Sequence, residues 1–422
     1  MITILFLVSG CQPGAEPDTL SGPIPPEQRP PSSQPPFSAP VNAQITTRVD
    51  EPLVIWAPPF FSIDTSSRAD AVLAAALAEF APGATGPPAV LIPKAERGAA
   101  GLLAYLLTSK RAAPTLLPDI ALINSFDLPR MIEAGIVAPL SSAESALITG
   151  LPPTVAASAQ VDSALYGFPF VASVEHLVYR KKQIPIPPVA WNDFLALDTQ
   201  LLFAGGTADD YTLNLLWTLY LAGGGNMDEQ GDLTNPQTMA SVLALLSEGR
   251  EKGLIPESII GVASPQAVWT FFVNGGREMV VVPASLFYNQ QAEVADLGFA
   301  PLLTVNGQPR GVVTTWSFVI ITQDASRRER ALQLLQQLFA PHVHGEWSWS
   351  AHQLPTQIAA LDYWETDAHY TDFLRLLLAN SITAPNPRVF DETGRALQQA
   401  QRALLTREAT PDQVLNTLPF RP

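Results

Sequence analysis

Cysteine is almost absent from this chain: Cys11 is the single one in 422 residues. One thiol closes no internal disulfide, so the fold has to rest on its apolar core, and the count says nothing about redox compartment. Basic residues are scarce too, 24 Lys and Arg against 39 Asp and Glu, for a net charge of -15. No stretch gathers them into a patch that could neutralise phosphates, which argues against a nucleic-acid partner. No apolar run is long enough to cross a bilayer. Also missing are a Gly-x-Ser-x-Gly elbow, a His-Glu-x-x-His pair and a glycine-rich loop ending in Lys-Ser/Thr, the signatures of three common enzyme classes. What is present is length: 422 residues exceed one ordinary domain and predict two lobes with sizeable cores.

The first 44 residues read differently from the rest. Residues 2–8, ITILFLV, form a short apolar run leading into Ser9, Gly10 and Cys11. Val8-Ser9-Gly10-Cys11 resembles the bacterial lipobox, although no Lys or Arg precedes the run as in a usual signal. That resemblance implies a signal peptide over residues 1–10, a lipidated Cys11, and attachment to the extracellular or periplasmic face of the cell membrane. Two or more acyl chains on one residue suffice for stable anchoring. Residues 12–40, QPGAEPDTLSGPIPPEQRPPSSQPPFSAP, are proline-rich and have little to bury. Residues 11–44 therefore read as an extended, disordered tether.

Beyond the tether, strand-like and helix-like segments alternate, which predicts an α/β architecture. Short apolar runs at 53–56, 89–92 and 120–123 read as buried strands. Helices are expected over 69–80, with Val72, Leu73, Ala76, Leu77 and Phe80 on one face, and around 102–107. Asn235-Pro236 opens a helix with Met239, Val242, Leu243 and Leu246 as its stripe. Residues 268–273 suggest a further helix, 279–282 a strand and 311–322 a long strand. Ser326 and Glu329 read as a capping box, and Thr410-Pro411 with Gln413 opens the last helix. Gly223-Gly224-Gly225 follows a helix, which suits a turn better than a phosphate cradle.

Several of these segments, taken in order, resemble one family. PDIALINSFDLPRMIEAGIVAPL (118–140), ALYGFPFVASVEHLVYRKKQI (164–184) and the Pro-x-x-Trp helix start at Pro188 are followed by YTLNLLWTLYLAGGG, ALLSEGREKGLIP, FFVNGGREMVVVPAS and TPDQVL. Their order is similar to that of the extracellular solute-binding proteins of bacterial ABC importers, family 1, in the branch that contains maltose-binding protein. The resemblance implies a type II periplasmic-binding-protein-like fold, two lobes of mainly parallel sheet flanked by helices and joined by crossing hinge strands. It places the N-terminal lobe at 45–168 plus 301–362 and the C-terminal lobe at 172–298 plus 363–422. Crossings are implied near 168–172, near 299–303 and after 361. It further implies a monomer that takes a sugar or oligosaccharide in the interlobe cleft, hands it to permease subunits, needs no cofactor and does no chemistry.

A sugar site needs flat apolar faces and hydroxyl-directed polar groups. Carried over position by position, the resemblance implies Pro59, Phe60, Asn124, Ser125, Phe126, Asp127, Ser173, Asp209, Tyr211, Ser285, Phe287, Tyr288, Thr315 and Trp316 as ligand-binding residues. Phe287 stands where many sugar binders carry a Trp. Trp56, Trp191 and Trp217 lie inside apolar segments and read as core; Glu175 reads as a surface carboxylate. His342, His344 and His352 could form a metal cluster only if their segment were a strand, and it follows a helix and a proline. Asp362, Glu365 and Asp367 could serve a glycosidase, but read more simply as a solvated helix face. The alternatives to transport are therefore an extracellular glycan-active enzyme and a sensory or adhesion lipoprotein that has the fold without a ligand.

Overall fold

A computed structural model describes residues 51–63, 67–80, 88–206, 214–275, 277–291, 294–305, 307–385 and 391–421. The chain divides into two units, Met1–Thr47 and Arg48–Pro422, and all described residues belong to the second. The expected signal, Cys11 and the tether lie outside them.

The three short apolar runs are strands: β1 (Leu53–Ala57), β2 (Ala89–Pro93) and β3 (Ile120–Asn124). They are parallel in the order β2-β1-β3, with Ile55 opposite both Leu91 and Ile120. Side chains alternate along β1, so Leu53 and Ile55 pack on one side with Leu73 and Leu77 of helix Arg68–Phe80. Trp56 packs on the other with Leu102 and Leu106 of helix Leu102–Ala112. Helices thus cover both faces, as short, nearly unbroken apolar strands require.

After a small hairpin, β4 (Gln160–Val161) and β5 (Ala164–Leu165), comes the 13-residue β6 (Phe168–Arg180). Later strands are β7 (Leu201–Leu202), β8 (Met279–Pro283), β9 (Leu297–Ala300), β10 (Val312–Ile320), β11 (Leu354–Pro355) and β12 (Ile382–Thr383). The sheet is mixed, in the order β2-β1-β3-β10-β6-β8-β7. β6 belongs to two neighbourhoods. Up to Val174 it pairs with β10, and from Glu175 onward it pairs with β8, while β9 runs beside Leu177–Arg180. The exchange of partners at Val174/Glu175 makes this strand the connection between two halves.

A register shift at Trp316/Ser317 interrupts the β10–β6 ladder. Phe170, in the gap, has its carbonyl satisfied by His344 Nε2 at 2.8 Å and by the Thr356 backbone N–H at 3.3 Å.

Among the helices, Pro236–Glu251 starts as expected, with Asn235 accepting from the Thr238 N–H. Thr410 and Gln413 form the expected reciprocal box. The helix Ala325–Leu338 differs. Its cap is Asp324, accepting from the Arg327 N–H at 2.9 Å, and Ser326 lies inside the first turn. Asp and Ser are equally good caps, so propensity could not choose between positions two residues apart. Trp191 and Trp217 are buried at 1 % exposure and Trp56 at 6 %, as read.

Arg327 carries a contact the sequence did not reveal. Its Nε and Nη2 donate to the two carboxylate oxygens of Asp119 at 2.7 and 2.6 Å, and Nη2 also reaches the Pro52 carbonyl at 3.0 Å. The Val54 N–H donates to the same carboxylate at 2.8 Å. This buried pair ties the helix to the leading ends of β1 and β3.

Candidate functional site

Strand alternation and register build the site. On β10, Val313, Thr315 and Ser317 are buried while Thr314 and Trp316 are half-buried. On β6, Ala172 and Val174 are buried while Ser173 and Glu175 are half-buried. Register sets Trp316 opposite Asn124 of β3 and Thr314 opposite Ser173. Paired residues share a face, as do residues two apart. Asn124, Trp316, Thr314, Ser173 and Glu175 therefore form one row on one face of the sheet, crossing the point where β6 changes partners.

The loops add to this row. The turn after β1 is closed by the Phe61 N–H donating to the Pro58 carbonyl at 2.9 Å, leaving Pro59 exposed and Phe60 half-buried. The Phe60 ring meets Trp316 edge to face, with centroids 5.4 Å apart and planes at 81°. After β3, the Asn124 side chain accepts from the Phe126 N–H at 3.1 Å, which turns the chain toward Phe126 and Asp127. Both are half-buried, and Asp127 attracts Arg97 from the loop after β2.

Three expected residues lie elsewhere. Thr315 is fully buried, its hydroxyl 2.7 Å from Ser158 Oγ and 3.2 Å from Ser317 Oγ. Ser125 is buried beside it, with Oγ 3.4 Å from the Thr315 N–H. Alternation puts Thr315 on the underside, and Thr314 is the threonine that β10 presents with Trp316. Phe287 is an aromatic core residue, 5.1 Å from Tyr370 and 5.4 Å from His176. Ser285 is half-buried in the first turn of helix Ala284–Gln290. Tyr288, on the same helix, lies tilted against Trp364 with ring centroids 4.7 Å apart, and burial together with Glu365 pushes its hydroxyl up to about 12. Asp209 and Tyr211 lie outside the described residues.

Glu175 is not the surface carboxylate expected. One carboxylate oxygen lies 3.4 Å from Thr218 Oγ1 of helix Leu215–Ala222, and burial pushes the acid up to about 7. That helix is capped by Asn214, whose Oδ1 accepts from the Leu216 and Trp217 N–H groups. The remaining amide group, Asn214 Nδ2, is buried without a partner. No local sequence pattern distinguishes such an asparagine from any other cap.

The histidine and carboxylate clusters dissolve. Residues Pro341–Ser350 are a helix, so His342 and His344 do not alternate as on a strand. His344 is stacked on Phe170 at 4.2 Å with both ring nitrogens engaged, and burial pushes it down to about 4. Glu365 pairs with Arg68, Asp362 pairs with Arg375, and Asp367 caps helix Ala368–Ala379. Among the described residues no group of three His, Cys, Asp or Glu is placed to hold a metal ion. No helix among them is long and apolar enough to cross a membrane.

The family model for bacterial extracellular solute-binding protein matches residues 101–370. The chain belongs to that family. Among curated proteins none matches it in sequence. Solved structures do match. A maltose-bound MalE3 of T. maritima is 17 % identical with a TM-score of 0.67, over 86 % of this chain and 97 % of that one. A cyclic alpha-maltosyl-1,6-maltose binding protein from Arthrobacter globiformis is 16 % identical with a TM-score of 0.70, over 87 % and 96 %. The sugar-binding protein MalE from the phytopathogen Xanthomonas citri is 16 % identical with a TM-score of 0.70, over 86 % and 94 %. At these identities the likeness shows the fold: this solute-binding protein has the two-lobe periplasmic-binding architecture, and β6 is the strand its two halves share.

Proposed function

We propose that this solute-binding protein captures a sugar or oligosaccharide between its lobes and delivers it to the permease of an ABC importer. The observation that carries the reading is the row across β3, β10 and β6. Trp316, braced by Phe60, offers a flat apolar face, while Asn124, Thr314 and Ser173 line up beside it with hydroxyl and amide groups. Sugars present both kinds of surface. The names of the structural relatives, which bind maltose or related sugars, support the same class.

In this reading Val174/Glu175 is a hinge between the N-terminal and C-terminal lobes, and closure buries the solute against the row. Asp127, Phe126 and Pro59 rim it from one lobe and Ser285 and Tyr288 from the other, whereas Ser125, Thr315 and Phe287 support from beneath. Lipidation of Cys11 would hold a monomer beside its permease on the outer face of the cell membrane, with residues 12–44 as tether. The protein performs no reaction on its cargo.

The test is a thermal-shift screen with glucose, maltose, maltotriose and trehalose, alongside amino acids and polyamines. A ligand that binds only the folded state stabilises it by about 2.7 kcal/mol at a hundredfold excess over Kd. A saccharide is expected to raise the midpoint, and Trp316→Ala to abolish most of the rise. A response to amino acids or polyamines alone would refute the carbohydrate assignment.

A further inference from the structure

Glu175 has a position that ordinary surface carboxylates lack. It is the first β6 residue to pair with β8, opposite Pro283, and it is the end of the half-buried row that Trp316, Thr314 and Ser173 begin. Its hydrogen-bonding partner is ambiguous in an informative way. Thr218 Oγ1 lies 3.4 Å from the Glu175 carboxylate and 3.3 Å from the Asn214 carbonyl four residues back. A hydroxyl has one proton for these two acceptors. An ionised Glu175 accepts that proton, and the Asn214 carbonyl then keeps the Thr218 backbone N–H at 3.1 Å. A protonated Glu175 can instead donate to Thr218 Oγ1 while Thr218 donates to Asn214, so the carboxyl has a partner in either form.

No compensating charge acts on Glu175 from the described residues. The helix Leu215–Ala222 presents Thr218, and β8 presents Pro283. On β10 the residue next to the exchange point is Val313, opposite Val174. His176, the adjacent strand residue, lies on the other side of β6, where it meets Phe287 and Tyr370, and the Tyr288 ring is engaged by Tyr370 and Trp364.

Resting on the sugar-binding reading above, we infer that Glu175 is a solute-contacting residue that is protonated when an uncharged polyhydroxylated solute is held, so that capture at alkaline pH takes up a proton from solvent. Closure over the solute removes water from a carboxyl that already lacks a cation, and so favours its neutral form further. The neutral acid offers a carbonyl oxygen to a solute hydroxyl. A cationic solute would do the reverse and expel the proton.

The experiment is calorimetric titration of the full protein with maltose, maltotriose, trehalose and glucose from pH 6 to 8.5, in buffers of different ionisation enthalpy. The expected result is net proton uptake and affinity that weakens about tenfold between pH 7 and 8.5. Glu175→Gln should bind with one affinity across that range and take up no proton. Thr218→Val, which removes the hydroxyl that favours the ionised form, should move the pH midpoint upward. Sugar binding that is independent of pH in the wild type, or that strengthens as pH rises, overturns the proton coupling and leaves the carbohydrate reading standing. Absence of binding by any of the four sugars at every pH overturns both.

Discussion

Replacing Arg327 by Met keeps the unbranched apolar stem of the side chain and removes its guanidinium. The loss can be worked from the structure. Two charge-assisted hydrogen bonds to Asp119, at 2.7 and 2.6 Å, disappear together with the contact to the Pro52 carbonyl. The Asp119 side chain is 8 % exposed, so its carboxylate stays buried with the Val54 N–H as a remaining donor. Orphaning one partner of a buried pair costs about 3–5 kcal/mol, more than the net worth of the pair, because the surviving charge has lost its compensation. Chemical denaturation followed by circular dichroism should show that loss as a lower midpoint at unchanged slope. Asp119→Asn in the same background relieves the orphaned charge. The double variant should therefore be more stable than the sum of the two single losses implies, with a coupling of about 1–3 kcal/mol. A loss below about 1 kcal/mol for Arg327→Met, or strict additivity, would refute the claim that this pair anchors the helix to β1 and β3.

Two adjacent threonines should separate binding from stability. Thr315→Val strands the Ser317 hydroxyl and removes one of the partners of Ser158, and should cost about 1–3 kcal/mol of stability with sugar affinity little changed, whereas Thr314→Val should weaken sugar binding at nearly constant stability. Equal effects on both properties would show that the face assignment is wrong. Acid should destabilise the protein through its buried histidines. Burial pushes His176 and His344 down to about 4, below the ordinary 6.5, so each stabilises fully above 6.5 and that contribution is lost as pH falls toward 4. Melting curves between pH 7 and 4 should fall by an amount that His344→Gln reduces. Glu175 has the opposite sign: its acid is raised to about 7, so its contribution is complete below the usual carboxylate range and is lost as pH rises through 7. Glu175→Gln should therefore gain stability relative to wild type at pH 8 compared with pH 5.

Much of the frame was legible because it depends on local pattern. Four-residue apolar runs announce β1 to β3, and Asn235 and Thr410 announce their helices through cap chemistry confined to one turn. The site was less legible because it depends on register. Whether Thr314 or Thr315 faces outward is a matter of one residue, and a slip of one reverses every side chain on a strand. That parity is set by Asn124 and Ser173, far away in sequence. Asp119 precedes the strand expected at 120–123 with nothing local to mark a partner, and that partner lies 208 positions later. Phe287 and Trp316 look alike as aromatics in apolar segments, yet the first faces Tyr370 in the core and the second faces Phe60 at the row. Glu175 looked like a surface acid because Thr218, which covers it, comes from a helix 43 residues further on.

The central claim is that solute is held against Trp316 on the strands the two lobes share. A crystal structure of the protein with the saccharide that most raises its melting temperature tests this most directly. The account predicts a sugar ring stacked on Trp316, with hydroxyls at Asn124, Thr314, Ser173 and Glu175 and the two halves closed about Val174/Glu175. Sugar bound away from this row, with Trp316 and Phe60 still packed only on each other, would contradict it.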